Sequence, residues 1–441
     1  MAFVHELSCE CAKSELDLFS VPPTQTSIQS ANYVEYNPIS TITEGTPIEF
    51  VVGASGEDYI DLSSTQLFVR AQILTGDNKK ITKTSKVGPI NNFIHSLFAE
   101  VDVRLNGTLI SSTNNTYAYR AYLETLLSYG RDAKKSFLTA GLYYKDTAGA
   151  MDMNDVTKKE GEENEGLISR HSFFQDGDTV DLMGFIHSDM FFQDKYLPSD
   201  VGLRIRLVRN KDSFCLMSDA DTADFKVKIR DCKLFVRKAK LTPSVFLAHA
   251  RALEKTTAKY PIKRVVCKTY TIPAGNLSST QENLFSGQLP SRIILGIVDN
   301  DAFNGCYTKN PFNFKHFDVS QISIYLDGQL SSIKPLELNY EANQYITGYL
   351  SLFQGTNKYK KDSGNDINRD EYGEGYSLYA YDLTPDMNDD NYFNLVREGS
   401  VRVDLKFRKP LPNVVNVIAL AESENMLQID KFRNITHDYV T

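Results

Sequence analysis

Two gapless copies of one stretch restrict this chain more than any other feature: NFIHSLFAEVDVRLNGTLISS from Asn92 to Ser112, and NFKHFDVSQISIYLDGQLSSI from Asn313 to Ile333, 221 residues further on. Asn92, Phe93, His95, Leu105, Gly107, Leu109 and Ser111 recur as Asn313, Phe314, His316, Leu326, Gly328, Leu330 and Ser332, while Val101 and Val103 become Ile322 and Ile324. In each copy alternating apolar residues run into Asn-Gly or Asp-Gly. That dipeptide suits a type I′ turn because both of its residues tolerate positive φ, so each copy predicts a half-buried strand followed by a hairpin. A spacing of half the 441-residue length means duplication of a whole domain, since solenoid repeats have periods of about 20 to 50 residues.

The chain in order carries the duplication further. Residues 1–30 mix charges with Leu16, Leu18 and Phe19 before Pro22-Pro23, and read as an N-terminal arm without a core of its own. Strands are predicted at 47–52, 66–74, 179–186, 203–208 and 225–236 in the first half, and at 263–272, 292–298, 321–326, 376–381, 401–407 and 414–421 in the second. Tyr119, Tyr122, Leu123, Leu126 and Leu127 have helical spacing and end at Gly130; Ile346, Tyr349, Leu350 and Phe353 repeat the pattern before Gly355. Each helix leads into a polar segment, Lys145–Gly166 or Thr356–Gly375, that reads as a long surface loop. Thr242 as N-cap with Pro243 behind it marks a connecting helix. The expected organisation is therefore an arm (1–30), a first β-sandwich (31–241), a connecting helix and linker (242–260), a second β-sandwich (261–430) and a C-terminal tail (431–441). Short strands separated by turns, with one helix per half and no βαβ alternation, place the chain in the all-β class.

An apolar fraction of 41% and a charged fraction of 24% suit a chain with a real core. A formal charge of −8 argues against a protein that coats nucleic acid, which needs a concentrated basic surface, and no sequence-specific nucleic-acid partner is expected. The N-terminus MAFVHELSCECAKSELDLF lacks the basic start and apolar centre of a signal peptide. The six scattered cysteines then read as reduced thiols of a protein made inside the cell. The longest candidate for membrane insertion, Val414–Leu420, is far shorter than the ~20 residues of a membrane span.

Candidate chemistry is sparse. His95 and His316 hold equivalent places before their strands, as a duplicated ligand pair or switch would; a histidine bonded locally at the start of a strand is the plainer reading. His187, Asp189 and Asp194 lie close together without zinc-like spacing, and Cys9-x-Cys11 has no second pair to complete a four-ligand site. No G-x-S-x-G, H-E-x-x-H or Walker A sequence is present, so no enzyme, metal or cofactor is expected. Alternation puts Arg204 and Arg206 on one face of a strand, and Lys226, Lys228 and Arg230 on one face of another. These are solvated sheet faces or contact faces toward acidic loops of a neighbouring subunit.

Specific motifs narrow the architecture. SELDLFSVPPTQTSI (Ser14–Ile28), DYIDLSSTQLFV (Asp58–Val69), GFIHSDMF (Gly184–Phe191) and NGCYTKNPFNFKHFDV (Asn304–Val319) resemble the major capsid protein of adintoviruses and related Maverick/Polinton elements over nearly the whole chain. The resemblance implies a double jelly-roll: two tandem eight-stranded β-sandwiches, each with a short helix and a long polar loop. It also implies a hexon-like homotrimer that forms a pseudo-hexameric capsomer of an icosahedral virion, with neighbouring capsomers, penton and minor capsid proteins as partners. The arm would lie along the inner side of the shell and tie capsomers together. The alternative is a β-sandwich binding module that presents Tyr372–Tyr381 to glycans or a receptor.

Overall fold

Alternating burial organises the chain into paired antiparallel sheets, two built from residues 28–241 and two from residues 258–437. The computed structural model describes residues 4–54, 56–111, 113–156, 163–219, 224–331, 334–387 and 392–438. The main strands of the first half are β1 (Ile28–Tyr36), β2 (Ile48–Val52), β3 (Asp58–Thr75), β4 (Phe98–Leu105), β5 (Thr108–Ser111), β6 (Thr179–Phe185), β7 (Leu203–Arg209) and β8 (Phe225–Leu241). Those of the second are β9 (Ala258–Ile272), β10 (Ser278–Gln288), β11 (Arg292–Asp299), β12 (Val319–Leu326), β13 (Gln329–Leu330), β14 (Leu378–Asp382), β15 (Glu398–Phe407) and β16 (Val415–Ile429). The first half pairs them as β1-β8-β3-β6 and β2-β7-β4-β5; the second as β9-β16-β11-β14 and β10-β15-β12-β13. Adding eight to every strand of one half gives the order of the other.

The repeat that predicted this symmetry lies where it should. β4 and β12 have the same length and begin 221 residues apart. Their turns keep positive φ at both central residues, +45° and +85° at Asn106-Gly107 and +51° and +76° at Asp327-Gly328. Ser112, Ser332 and Ile333, which close the two copies, lie outside the described residues.

Several expectations are corrected. The arm ends earlier than residue 30, because Ile28 already pairs with Leu241. The connecting helix α2 (Pro243–Leu253) forms with Pro243 in its first turn, but Thr242 makes no side-chain cap, and strand structure resumes at Ala258, inside the expected linker. The expected tail carries a strand, Ile435–His437, paired with the end of β16. Two further short pairings, Val87–Pro89 with Leu216–Ser218 and Leu336–Glu337 with β12, add to the main eight strands of each half. β10 has no counterpart among the predicted strands because SSTQENLFSGQ is polar and mostly exposed.

The helices and polar segments differ most from expectation. α1 (Tyr117–Ser128) is not a surface helix with one apolar face: ten of its twelve residues are buried, Arg120 among them. Tyr119, Tyr122, Leu123, Leu126 and Leu127 belong to the hydrophobic cluster of the second half, alongside Phe312, Phe314 and Ile294. Tyr122 stacks flat on Phe312 with centroids 4.0 Å apart, a contact of about 0.5–1.5 kcal/mol beyond its burial. Conversely, Tyr260, Ile262, Leu427, Ile429 and Ile435 pack into the cluster of the first half. The counterpart α3 (Ile346–Gly355) lies on β14 so closely that a Cβ on Gly355 would meet the Ala380 backbone at 2.7 Å.

Candidate assembly surfaces and the seam between the halves

The segments Lys145–Gly166 and Thr356–Gly375, expected as surface loops, meet instead at the seam. Arg170 and Asp146 are both fully buried and bonded at 2.6 Å. Arg170 also donates to the carbonyls of Pro89 (2.8 Å) and Tyr144 (2.6 Å). The second oxygen of Asp146 accepts from Asn310 of the second half (3.2 Å), and the Asp146 carbonyl accepts from Tyr376 (2.6 Å). Lys145 bonds both carboxylate oxygens of Glu371 at 2.7 Å. Lys134 donates to Leu126 of one half (2.7 Å) and Asn365 of the other (2.5 Å), and burial pushes its pKa down to about 7. Residues 157–162 of the first segment lie outside the described residues.

A second buried group centres on α1. Arg120 donates to Glu124 (2.9 Å), to Asp189 (2.6 Å) and to the Val265 carbonyl (3.4 Å), and Asp189 in turn accepts from the Val265 N–H (3.2 Å). Burial disfavours the Arg120 charge, but Glu124 and Asp189 outweigh it and hold its pKa above the usual value. Burial likewise opposes the Glu124 carboxylate, and Arg120 and His187 win, lowering its pKa. The side chains of Arg120, Glu124 and His187 line a cleft of about 410 Å³ with Phe192, Val265 and Glu422. These buried charges are paired and satisfied, as charges in low dielectric must be. Strand and helix periodicity did not single out Arg120 and Glu124; their one sequence cue is an arginine set inside the aromatic run YAYRAYL.

The predicted site residues separate. His95 is buried, bonded through Nδ1 to the Tyr117 hydroxyl (3.0 Å), with its ring 4.6 Å from that of His187. His316 is half-buried and stacks on Tyr340 at 4.0 Å. The two are therefore packed independently and do not form a shared site. Of the suspected cluster, His187 and Asp189 join one ion-paired chain through Glu124 and Arg120 (His187–Glu124 2.6 Å), while Asp194 is exposed, so the three do not converge on one centre. Among the described residues no group of three His, Cys, Asp or Glu could hold a metal. Cys9 and Cys11 are exposed on the arm.

Arg204 pairs with Glu49, and Arg206 with Asp102 (3.2 Å), acidic residues of strands beside β7 in its own sheet. That face is thus a mixed-charge ladder. Arg230 donates to Gln72 (2.9 Å), and no ion pair engages Lys226 or Lys228 among the described residues. Tyr372, Tyr376, Tyr379 and Tyr381 are buried, with Tyr372 donating to the Leu378 carbonyl. The Tyr372–Tyr381 stretch therefore offers no aromatic platform to a glycan. Unpaired apolar surface lies elsewhere. The arm exposes Leu7, Leu16, Leu18, Phe19 and Val21, and the connection between β14 and β15 exposes Phe393, Leu395 and Val396. No helix of the described residues is long and apolar enough to cross a membrane.

No family model matches the sequence. The chain is 28% identical over 427 residues to the uncharacterized protein F54H12.2 of Caenorhabditis elegans, covering 94% of this chain and 98% of that one. Among solved structures it superposes on a chain of the Sputnik virophage with a TM-score of 0.66 at 12% identity, over 98% of this chain and 93% of the other. The Faustovirus major capsid protein gives a TM-score of 0.56 at 9% identity, over 93% and 92%. The fold resembles the β-rich double jelly-roll folds of viral capsid proteins, and the likeness runs through both halves rather than through one sandwich.

Proposed function

We propose that this chain is a structural, shell-forming protein: a major capsid protein whose three copies build a pseudo-hexameric capsomer of an icosahedral virion. The observation that carries the reading is the coincidence of an internal duplication with a full-length likeness to double jelly-roll capsid chains. The main eight strands of each half, in the order one-eight-three-six and two-seven-four-five, support two eight-stranded jelly-rolls with the connecting helix between them. Three chains then present six similar walls, and an assembly of such units closes into a shell only when its vertices are filled by something else. Penton and minor capsid proteins fill that place in this reading. An arm without a core, exposing Leu16, Leu18 and Phe19, suits a tie between capsomers.

The sequence motifs favour the adintovirus and Maverick/Polinton lineage, and a nematode relative matched over nearly its whole length supports a lineage with copies in animal genomes. Light scattering on purified protein is expected to give three times the 49.7 kDa chain mass, and electron micrographs at high concentration are expected to show hexagonal tiles. A stable monomer at all concentrations would remove the reading.

A further inference from the structure

The cleft beside α1 carries more positive charge than its own carboxylates neutralise. Its base is one face of the second half's sheet. The register sets Val265, Glu422 and Arg292 in one row, with Leu420 beside Ile294 two residues further along, and residues two apart on a strand share a face. Leu123, Glu124 and Leu127 of α1 bound the cleft from the first half, and the turn after α3 brings Lys358 and Lys361 to the same space. A volume of about 410 Å³ lies within the ~300–1,000 Å³ range of small-molecule sites.

Five cationic side chains and two carboxylates line the cleft. The arginines are engaged within the chain: Arg120 holds Glu124 and Asp189, and Arg292 bonds Glu422 at 2.8 Å. Lys358 and Lys361 differ. Lys358 spends one of its three N–H groups on the Ser128 carbonyl (2.8 Å) at the C-terminal end of α1, and no ion pair engages it or Lys361 among the described residues. Burial, with the charge of Lys361 added, holds the Lys358 pKa below the ordinary ammonium range. Two ammonium groups thus repel one another beside a cleft whose deeper lining, Leu123, Leu127, Ile294 and Leu420, is buried and apolar, and whose outer side holds Phe192 at 49% exposure. An anion between the lysines removes the repulsion, and an apolar chain displaces water from the lining.

We propose that this cleft binds a single-chain anionic amphiphile, a carboxylate with an unbranched apolar tail, whose head sits between Lys358 and Lys361 and whose tail lies along Phe192, Leu127 and Ile294. The two lysines disfavour a cationic head and gain nothing from a neutral one, while the apolar lining favours a chain over a free inorganic anion. Leu127 and Phe192 belong to the first half and Ile294, Lys358 and Lys361 to the second, so the ligand spans both, and its binding adds to the cohesion of the folded chain. The site is built by one chain and needs no second copy.

The test is calorimetric titration of the full-length protein with dodecanoate, with acetate as a head without a tail and dodecyl maltoside as a tail with a neutral head, each below its micelle concentration. Dodecanoate is expected to saturate one site and to raise the unfolding temperature as its concentration rises; acetate and dodecyl maltoside are expected to do neither. Lys358→Gln with Lys361→Gln is expected to weaken dodecanoate about tenfold or more, the size of one hydrogen bond to a charged group, while Lys358→Arg with Lys361→Arg retains it. Should the glutamine pair fail to fold, Lys361→Gln alone, at an exposed position, carries the same comparison. Amide exchange across 356–361 is expected to slow when dodecanoate binds. Equal affinity of dodecanoate for wild type and the glutamine variant, or equal binding of dodecyl maltoside, means general uptake of detergent and overturns the site. A titration that never saturates overturns it too.

Discussion

The two copies of the repeat share a strand and a turn but not their surroundings. Asn92 takes positive φ and starts a short buried helix, Phe93–Ser96, that seats His95 against Tyr117 and His187 of its own half. Asn313, by contrast, leans on the other half: Asp152 accepts from the Asn310 N–H (2.9 Å), from Asn313 Nδ2 (2.9 Å) and from Lys315 Nζ (2.7 Å). The buried entry to the first copy is thus held within its own half, although Asn106 at its turn donates to the Arg433 carbonyl (2.9 Å), whereas the entry to the second is anchored from outside. Duplication preserved what the backbone needs, and released the side chains that only neighbours dictate.

The largest test of this asymmetry is Asp146→Ala. It leaves Arg170 charged, buried and unpaired, and takes an acceptor from Asn310 just ahead of the second copy. A loss of about 3–5 kcal/mol is expected in denaturant unfolding, with faster amide exchange across 310–319 than across 92–98. Equal acceleration in both stretches would contradict the one-sided anchoring.

Next in size is the response to acid. Burial, aided by the nearby His187, holds the His95 pKa well below the ordinary imidazole range; partial burial also lowers that of His316, with Asp318 pulling the other way. A depressed folded pKa means that the unfolded chain takes the proton first. The stability each histidine contributes is then complete above about pH 6.5 and falls as the pH drops below it, by at most about 1.4 kcal/mol per pH unit for one proton. His95→Gln is expected to flatten the dependence between pH 6.5 and 5 more than His316→Gln does. Identical slopes for the two variants would mean that the copies are electrostatically alike.

The smallest effect is expected to be the same in both copies. Gly107 and Gly328 have positive φ and open space where a Cβ would stand. Gly107→Ala and Gly328→Ala should therefore each cost only the backbone term, about 1 kcal/mol, measured as matching shifts in denaturant midpoint. A large difference between them would reveal a contact that one turn has and the other lacks.

What could be read from the sequence follows the same division. Asn106-Gly107, Asp327-Gly328 and the alternation before them encode conformation locally, and β4 and β12 lie where the alternation put them. The connecting helix was equally legible from Thr242-Pro243. The seam was not, because Asp146 and Arg170, or Lys145 and Glu371, look like solvent-seeking residues until a partner distant in the chain is brought beside them. Tyr372–Tyr381 misled for the opposite reason: its tyrosines resemble a binding surface, and they are in fact buried, with the hydroxyls of Tyr376 and Tyr372 spent on the carbonyls of Asp146 and Leu378. β1 and β10 escaped because exposed edge strands bury too little to show an apolar pattern.

The shared clusters also bear on biosynthesis. Leu427, Ile429 and Ile435 complete the apolar interior of the first half, so that interior is incomplete until the strands that carry them have been made. Domains that mature one by one as a nascent chain lengthens avoid exposing sticky intermediates. Here the interior of the earlier barrel is left unfinished without the last strands of the later one, which ties the maturation of the two barrels together.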